Sequence, residues 1–379
     1  MPNHISSFFN HDSTQSYLLE VLGETEELLG EALRTLDSNS KCQIIPAADL
    51  GFPHDVIRIA GGFATGCFVE WQCSEPFIPV DTTVNIDTSS VYKLETNIID
   101  SITPETFQNL VDKLEQSSYI NNFQKGNHFI SFGIAVETDE PYLIIHSNEK
   151  EFKYQFNGLM PVDGNWFMDD VITHRKGSRY IRYLTGKKAQ LFGEIAKSLE
   201  EYNIMRHRFI ANFVSDFCGI DYASDSHHYF MPTRSSVALG CFVAEPGDIL
   251  PIFSAPGRDI HLYQVEGGGE NSIQLINGGH SKLIVPHGWG KRAKSKPRIE
   301  WQDKNLIVND LVYPIKPLES LGKHPDLMLR EYSTNLDDPN NYFSQISQYC
   351  PGKIILTIEQ KVSFCRQGFL KSSKDSGDV

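Results

Sequence analysis

Apolar side chains recur at helical spacing in three stretches of the chain. From Ser13 to Leu36 they fall at Leu18, Leu19, Val21, Leu22, Leu28, Leu29 and Leu33 with acids between, the pattern of an amphipathic packing helix interrupted at Gly23. Pro104 to Gln116 begins with a proline suited to a first helical turn and sets Phe107, Leu110, Val111 and Leu114 on one face. The longest helix is predicted over Lys188 to Phe217, where Ala189, Phe192, Ile195, Ala196 and Leu199 open a spacing that continues to Phe213.

Elsewhere the pattern shortens to strand type. Ile59 to Val69 predicts strands that meet at glycines, and Phe77 to Leu94 is β-rich but drops into small polar residues at Asp87 to Ser90. His128 to Val136 and Pro141 to His146, joined by residues 137–140, predict a hairpin with His128 and His146 at the same end. Residues 149–180 are aromatic and irregular, without a usable period. Strand-like pieces return at Val237 to Val243, Ile249 to Phe253, His261 to Val265, Ser272 to Ile276 and Ile354 to Ile358. No repeat and no long linker divides the chain. The expectation is one α+β (mixed α/β) domain over residues 1–370, with a β-rich core, flanking helices and a polar tail at 371–379.

Composition narrows the function classes. Forty-eight acidic against 34 basic residues give a formal net charge of −14, which excludes a general electrostatic affinity for nucleic acid. Any such contact must be local, and the densest basic segment is Lys291 to Arg298. His174 to Arg182 is second, and reads as solvated surface charge. Met1 to Gln15 has neither the basic nor the apolar region of a leader, and no apolar run reaches membrane-spanning length, so a cytoplasmic protein with no membrane partner is expected. Seven scattered cysteines without a close C-x-x-C pair are expected to be reduced thiols.

Candidate chemistry centres on Leu283 to Arg292. An apolar strand stops at Pro286 and presents His287 beside Gly288 and Gly290, followed by Lys291 and Arg292. The glycines allow close backbone approach to a phosphate and the cations attract it, while a neutral imidazole can attack phosphorus or bind a metal. Other histidines and acids stand at strand ends: Asp87, His128, His146 and the pair His227 and His228. Nitrogen and oxygen donors without thiolates suit manganese, zinc or iron.

At these residues the chain resembles the RtcB family of manganese- and GTP-dependent RNA ligases, of the tRNA-splicing type. Five ordered patches over residues 77–298 carry the likeness: Val84 to Val91, Gly126-Asn127-His128-Phe129, Leu143 to Ser147, His227-His228-Tyr229 after Met205 to Arg208, and Pro286-His287-Gly288-Trp289-Gly290-Lys291-Arg292. The resemblance implies an enzyme of RNA repair that joins a 3′-phosphate or 2′,3′-cyclic phosphate RNA end to a 5′-hydroxyl, with His287 as the residue that takes the nucleotide. It makes Asp87, His128, His146 and His227 or His228, with His227 preferred, the ligands of Mn2+ or Zn2+. It also makes Asn127 a catalytic residue beside His287, and Asn127, Gly288, Gly290 and Arg292 contacts to the nucleoside triphosphate, GTP.

Two departures alter these expectations. Ser90 falls at the family's thiolate ligand, which implies one tightly held ion rather than two. Ser131 falls at its guanine-reading acid, which weakens the preference for GTP. The same histidines also suit a metal-dependent phosphoesterase or a non-catalytic RNA-end or nucleotide-binding protein.

Overall fold

The structure, a computed structural model, describes residues 8–9, 12–148, 158–253, 257–269, 272–278, 281–288, 298–316, 319–321 and 339–372. Ser13–Arg34 starts where the Asp12 carboxylate accepts the N–H groups of Thr14 and Gln15, and it runs without a break through Gly23. Buried on one face against the Lys41–Gly51 strand, it gains enough packing to offset the roughly 1 kcal/mol that a helical glycine costs. Pro104–Gln116 begins with a capping box from Thr103 and Thr106, as its leading proline predicts. Gly186–Ser215 is the longest helix. No helix among the described residues is long and apolar enough to cross a membrane.

An eleven-stranded antiparallel sheet forms the centre of this α+β fold. Its path runs Lys41–Gly51, Thr65–Gln72, Ser236–Leu239, Ile220–Thr233, Asp87–Leu94, Pro141–Ser147, Phe129–Ala135, Gly352–Cys365, Ile260–Val265 and Ile249–Ile252, with Gly368–Lys371 added to Gly352–Cys365. The Gly186–Ser215 and Pro104–Gln116 helices cover one face in a cluster that includes Phe107, Leu110, Phe132, Leu143 and Ile210. Smaller sheets flank the large one, among them Cys241–Ala244, Lys282–Pro286 and Ser272–Ile273, which deliver the chain to His287.

The predicted hairpin forms, with Phe129 opposite His146. Three expectations need correction. Ile59 to Val69 is not two strands, because Val56–Ala60 closes a helical turn capped by Asp55 before Thr65–Gln72 begins. The small polar residues Asp87 to Ser90 do not end the strand run; they are buried in the sheet, Thr88 to Ser90 paired on both sides and Asp87 with Tyr229 on one. The apolar run Val237 to Val243 breaks at Gly240 into strands of two different sheets.

The second basic segment is an ion-paired hairpin, Ile172–Lys176 with Arg179–Thr185. Arg175 meets Asp303, Lys176 meets Glu31, Arg179 meets Glu24 and Arg182 meets Asp81. Only the last pair is deeply buried. Arg182 Nε donates to Asp81 Oδ1 at 3.0 Å and Oδ2 at 3.1 Å, and burial raises the Asp81 carboxyl although the guanidinium opposes it. Asp81→Ala would strand a mostly buried cation, so urea unfolding should show a loss of about 3 kcal/mol. A loss under about 1 kcal/mol would mean that solvent already compensates Arg182.

Candidate functional site

Four imidazoles from four segments stand in file on one face of the sheet. His287 stacks on His228 with ring centres 5.0 Å apart, His228 stacks on His146 at 5.2 Å, and His146 meets His128 edge to face at 6.1 Å. Phe253 lies against His146 at 4.9 Å and Phe242 against His228 at 5.5 Å, so the file is walled by apolar rings. His146 and His228 are buried, and His287 keeps 22 % of its side chain exposed. His287 is therefore the member of this file that a ligand in solution can reach.

His287 is held by Asp49, a residue that the sequence patterns did not single out. Asp49 Oδ2 accepts the ring Nδ1–H at 2.6 Å and the backbone N–H at 3.1 Å. In the neutral ring that pairing sets the tautomer and places the lone pair on Nε2. The carboxylate is 1 % exposed, in a bulge where the Lys41–Gly51 ladder slips between Pro46 and Gly51. Gly66, at φ 76°, makes the bulge possible: a Cβ there would stand 2.8 Å from the Asp49 and Leu50 backbone. Gly288 is needed for a similar reason, since its Cβ would lie 2.2 Å from the Phe253 carbonyl oxygen. Its own carbonyl accepts the Tyr342 hydroxyl at 2.8 Å.

Asp87 enters from a strained segment. Thr83 and Ile86 have φ of 44° and 58°, and a β-branched residue rarely adopts the left-handed region. Buried Arg58 holds the segment by donating to the Thr82 and Thr83 carbonyls at 3.0 and 2.7 Å, and its guanidinium lies 4.9 Å from the centre of the Tyr229 ring. Tyr229 is the register partner of Asp87 and touches His287 edge-on. Asp87 thus begins its strand beside the file.

Strand alternation decides which neighbours face the file. His228 lies within it, while His227 projects to the opposite face, where its Nδ1 is 2.8 Å from Thr88 Oγ1. The preference for His227 is corrected accordingly. Ser90 also faces away, toward the long helix, and its hydroxyl contacts His207 Nδ1 at 2.7 Å and the Asp225 carboxylate. The serine on the file side is Ser89, with Oγ 3.2 Å from His146 Nδ1. The expectation that Ser90 replaces a metal ligand at this site therefore lapses.

Of the other residues singled out in the sequence, Asn127 is exposed at the turn before His128. Gly290, Arg292 and the cations between Lys291 and Lys296 lie outside the described residues; Arg298 pairs with Glu300. Ser131 is buried beneath the Phe129–Ala135 and Gly352–Cys365 pairing, donating to the Val362 carbonyl at 3.1 Å and bonded to Ser363 at 2.8 Å. Its hydroxyl is committed to the core.

The donor set matches manganese or zinc in kind. Burial is the main cause that drives His146 and His228 well below the usual imidazole range, with neighbouring imidazoles adding to it, so both are neutral. Among the described residues, His146 Nε2 and both ring nitrogens of His228 are buried without a hydrogen-bond partner, which is costly unless something else takes the lone pair. His128 donates Nδ1–H to the Asn122 carbonyl at 3.0 Å, an arrangement that would leave Nε2 as the nitrogen to meet an ion. Imidazoles bound at about 2.1 Å to one tetrahedral ion have ring centres about 5 Å apart, a spacing that His287–His228 and His228–His146 match and that His146–His128, at 6.1 Å, exceeds. They form a file rather than a shell: among the described residues no three His, Cys, Asp or Glu side chains stand grouped to hold an ion. Donor chemistry fits and two of the three spacings do; among the described residues a three-donor group does not pre-exist.

Compared with known proteins, the chain matches no family model, and no curated protein sequence matches it.

His146, His207, His227 and His228 all titrate below their ordinary range, burial being the first cause in each, with His227 lowered to about 4. Above the unfolded value near pH 6.5 neither state binds these protons. Below it the unfolded chain takes them up first, so stability falls with pH. Each such histidine contributes up to about 1.4 kcal/mol per pH unit. Metal-free protein should accordingly lose its urea midpoint steeply between pH 6.5 and 5, and a flat midpoint over that window would refute the buried neutral assignment.

Proposed function

We propose that this chain is a divergent RNA ligase of the RtcB type, joining a 3′-phosphate or 2′,3′-cyclic phosphate RNA end to a 5′-hydroxyl through a nucleotide carried on His287. The observation that carries this reading is the Asp49–His287 pair: a buried carboxylate fixes the Nδ1 proton, so the partly exposed ring offers Nε2 as a nucleophile. The five ordered patches of the sequence support it, because four of them supply the members of one file of histidines.

In the first step the His287 Nε2 lone pair attacks the α-phosphorus; the N–P bond forms and pyrophosphate leaves. As positive charge develops on the imidazole, the Asp49 carboxylate stabilises it without moving. A 2′,3′-cyclic end first takes up water, which breaks its P–O2′ bond and frees the 2′-hydroxyl and the 3′-phosphate; an oxygen of the RNA 3′-phosphate then attacks the same phosphorus and breaks the N–P bond, which activates the RNA end. The 5′-hydroxyl finally displaces the nucleoside monophosphate and closes the phosphodiester. A manganese or zinc ion taken up by the unpartnered nitrogens of His146 and His228 would supply neutralisation of phosphate charge. Apolar walls from Phe253 and Phe242 keep the neighbouring imidazoles dry and neutral.

Base discrimination is expected to be weak, since Ser131 is bonded within the sheet and has no charge with which to pair with guanine. Incubated with manganese and labelled GTP or ATP, the protein should acquire an acid-labile, base-stable phosphoramidate, with less than about a tenfold difference between the two nucleotides. His287→Ala should abolish labelling and Asp49→Asn should slow it about 10²–10⁴-fold. No covalent nucleotide with any divalent metal, together with release of phosphate from RNA ends that His287→Ala impairs, would replace the ligase by a phosphoesterase.

A further inference from the structure

Behind the histidine file, on the opposite face of the sheet, lies a second polar network that the proposed chemistry does not use. Asn203, Arg206 and His207 share one face of the Gly186–Ser215 helix and are each 0 % exposed. Arg206 Nη2 donates to Ser147 Oγ at 2.6 Å and to Asn203 Oδ1 at 2.9 Å. Ser147 Oγ lies 2.6 Å from His207 Nε2; His207 Nδ1 lies 2.7 Å from Ser90 Oγ, which donates to the Asp225 carboxylate. Asn203 Nδ2 adds bonds to Thr88 Oγ1 at 2.8 Å and the Ser147 carbonyl at 3.0 Å.

The protons in this chain can be assigned by counting donors. A serine hydroxyl has one proton, and Ser90 gives its own to Asp225, so His207 Nδ1 must be the donor to Ser90. Burial first, and then the adjacent Arg206 cation, hold His207 neutral, so Nε2 is an acceptor. Ser147 must therefore turn its proton to Nε2 at 2.6 Å in preference to Asn203 Oδ1 at 3.1 Å, an oxygen that Arg206 already occupies. All the bonds then point one way, from the Arg206 guanidinium through Ser147, His207 and Ser90 to Asp225.

The anchors of this relay are the immediate neighbours of the file. Ser90 follows Ser89 and Ser147 follows His146, and Ser89 and His146 are register partners in contact at 3.2 Å. Side chains of adjacent strand residues point to opposite faces, so His207 cross-links the two strands directly behind the Ser89–His146 pair. We propose that His207, held as the Nδ1–H tautomer by a one-way relay between Arg206 and Asp225, is a positioning residue that fixes His146 in the file from the far side of the sheet. The proton order stands on the contacts together with the neutrality of the fully buried ring; the consequence for chemistry rests on the proposed function.

The test uses full-length, metal-free protein labelled with 15N-histidine. Long-range proton–nitrogen spectra should show His207 protonated at Nδ1 and bare at Nε2, with a ring proton shielded from solvent exchange. Ser90→Ala removes the acceptor and should flip His207 to the Nε2–H form. His207→Phe fills the space without donor or acceptor and should shift the His146 ring nitrogens, whereas His207→Gln, which offers one N–H and one carbonyl, should leave them near wild type. Nucleotide labelling of His287 should fall at least about tenfold in His207→Phe and recover in His207→Gln. Wild-type His207 protonated at Nε2, or unmoved His146 resonances in His207→Phe, overturns the proposal, and should His207→Phe fail to fold, the tautomer in Ser90→Ala decides it. If wild-type protein takes no nucleotide, the ligase reading fails while the spectra still judge the relay.

Discussion

A single carboxylate oxygen, Asp49 Oδ2, accepts both the ring and the backbone N–H of His287, and much of the surrounding structure serves to keep that contact dry and in place. A buried carboxylate is expensive unless it is paired, and a doubly donating partner fixed in the backbone is an effective compensation. To bring the two together, the first strand of the sheet bulges at Asp49, Gly66 lets the next strand pass beneath it, and Gly288 lets the following turn close on Phe253. The histidine is thereby held by the main chain on one side and by the tautomer on the other. The other ring nitrogen, Nε2, takes no part in that pairing, and the side chain that carries it stays 22 % exposed.

Two polar networks use the two faces of the same strands. The front face stacks imidazoles between aromatic walls, and burial keeps His146 and His228 neutral there. The back face is densely hydrogen-bonded and runs from a buried guanidinium to a carboxylate. Densely bonded buried networks specify one arrangement of the strands that carry them, whereas unsatisfied nitrogens mark where a ligand can bind. Division of labour between faces explains why Asp87 to Ser90, polar and small, can occupy the centre of a large sheet.

Charge is organised differently at the periphery. The cations of the Ile172–Lys176 and Arg179–Thr185 hairpin meet carboxylates of other elements, tying that hairpin to the Ser13–Arg34 helix and the turn at Asp81. Together with Arg58 on the carbonyls of Thr82 and Thr83, these pairs brace the strained approach to Asp87. A cluster of basic residues in the sequence is here a structural brace rather than an anion-binding surface.

The sequence by itself determined the elements whose signal is local. Period and capping residues specified the Pro104–Gln116 helix, the long helix and the hairpin that places His128 beside His146, because helix and turn energetics depend on residues within a few positions. It also marked four of the file's histidines by their neighbours. What it could not show was the Ile220–Thr233 strand, whose polar run Ser224 to His228 has no apolar alternation, since those side chains are buried against other polar groups. Nor did it separate His228 from His227 or Ser89 from Ser90. A strand turns adjacent residues to opposite faces, and which face holds the site is settled only when the distant segments are packed. Asp49 carried one clue, a lone acid in an apolar run, but its partner lies 238 residues away, and only the tertiary fold brings them together.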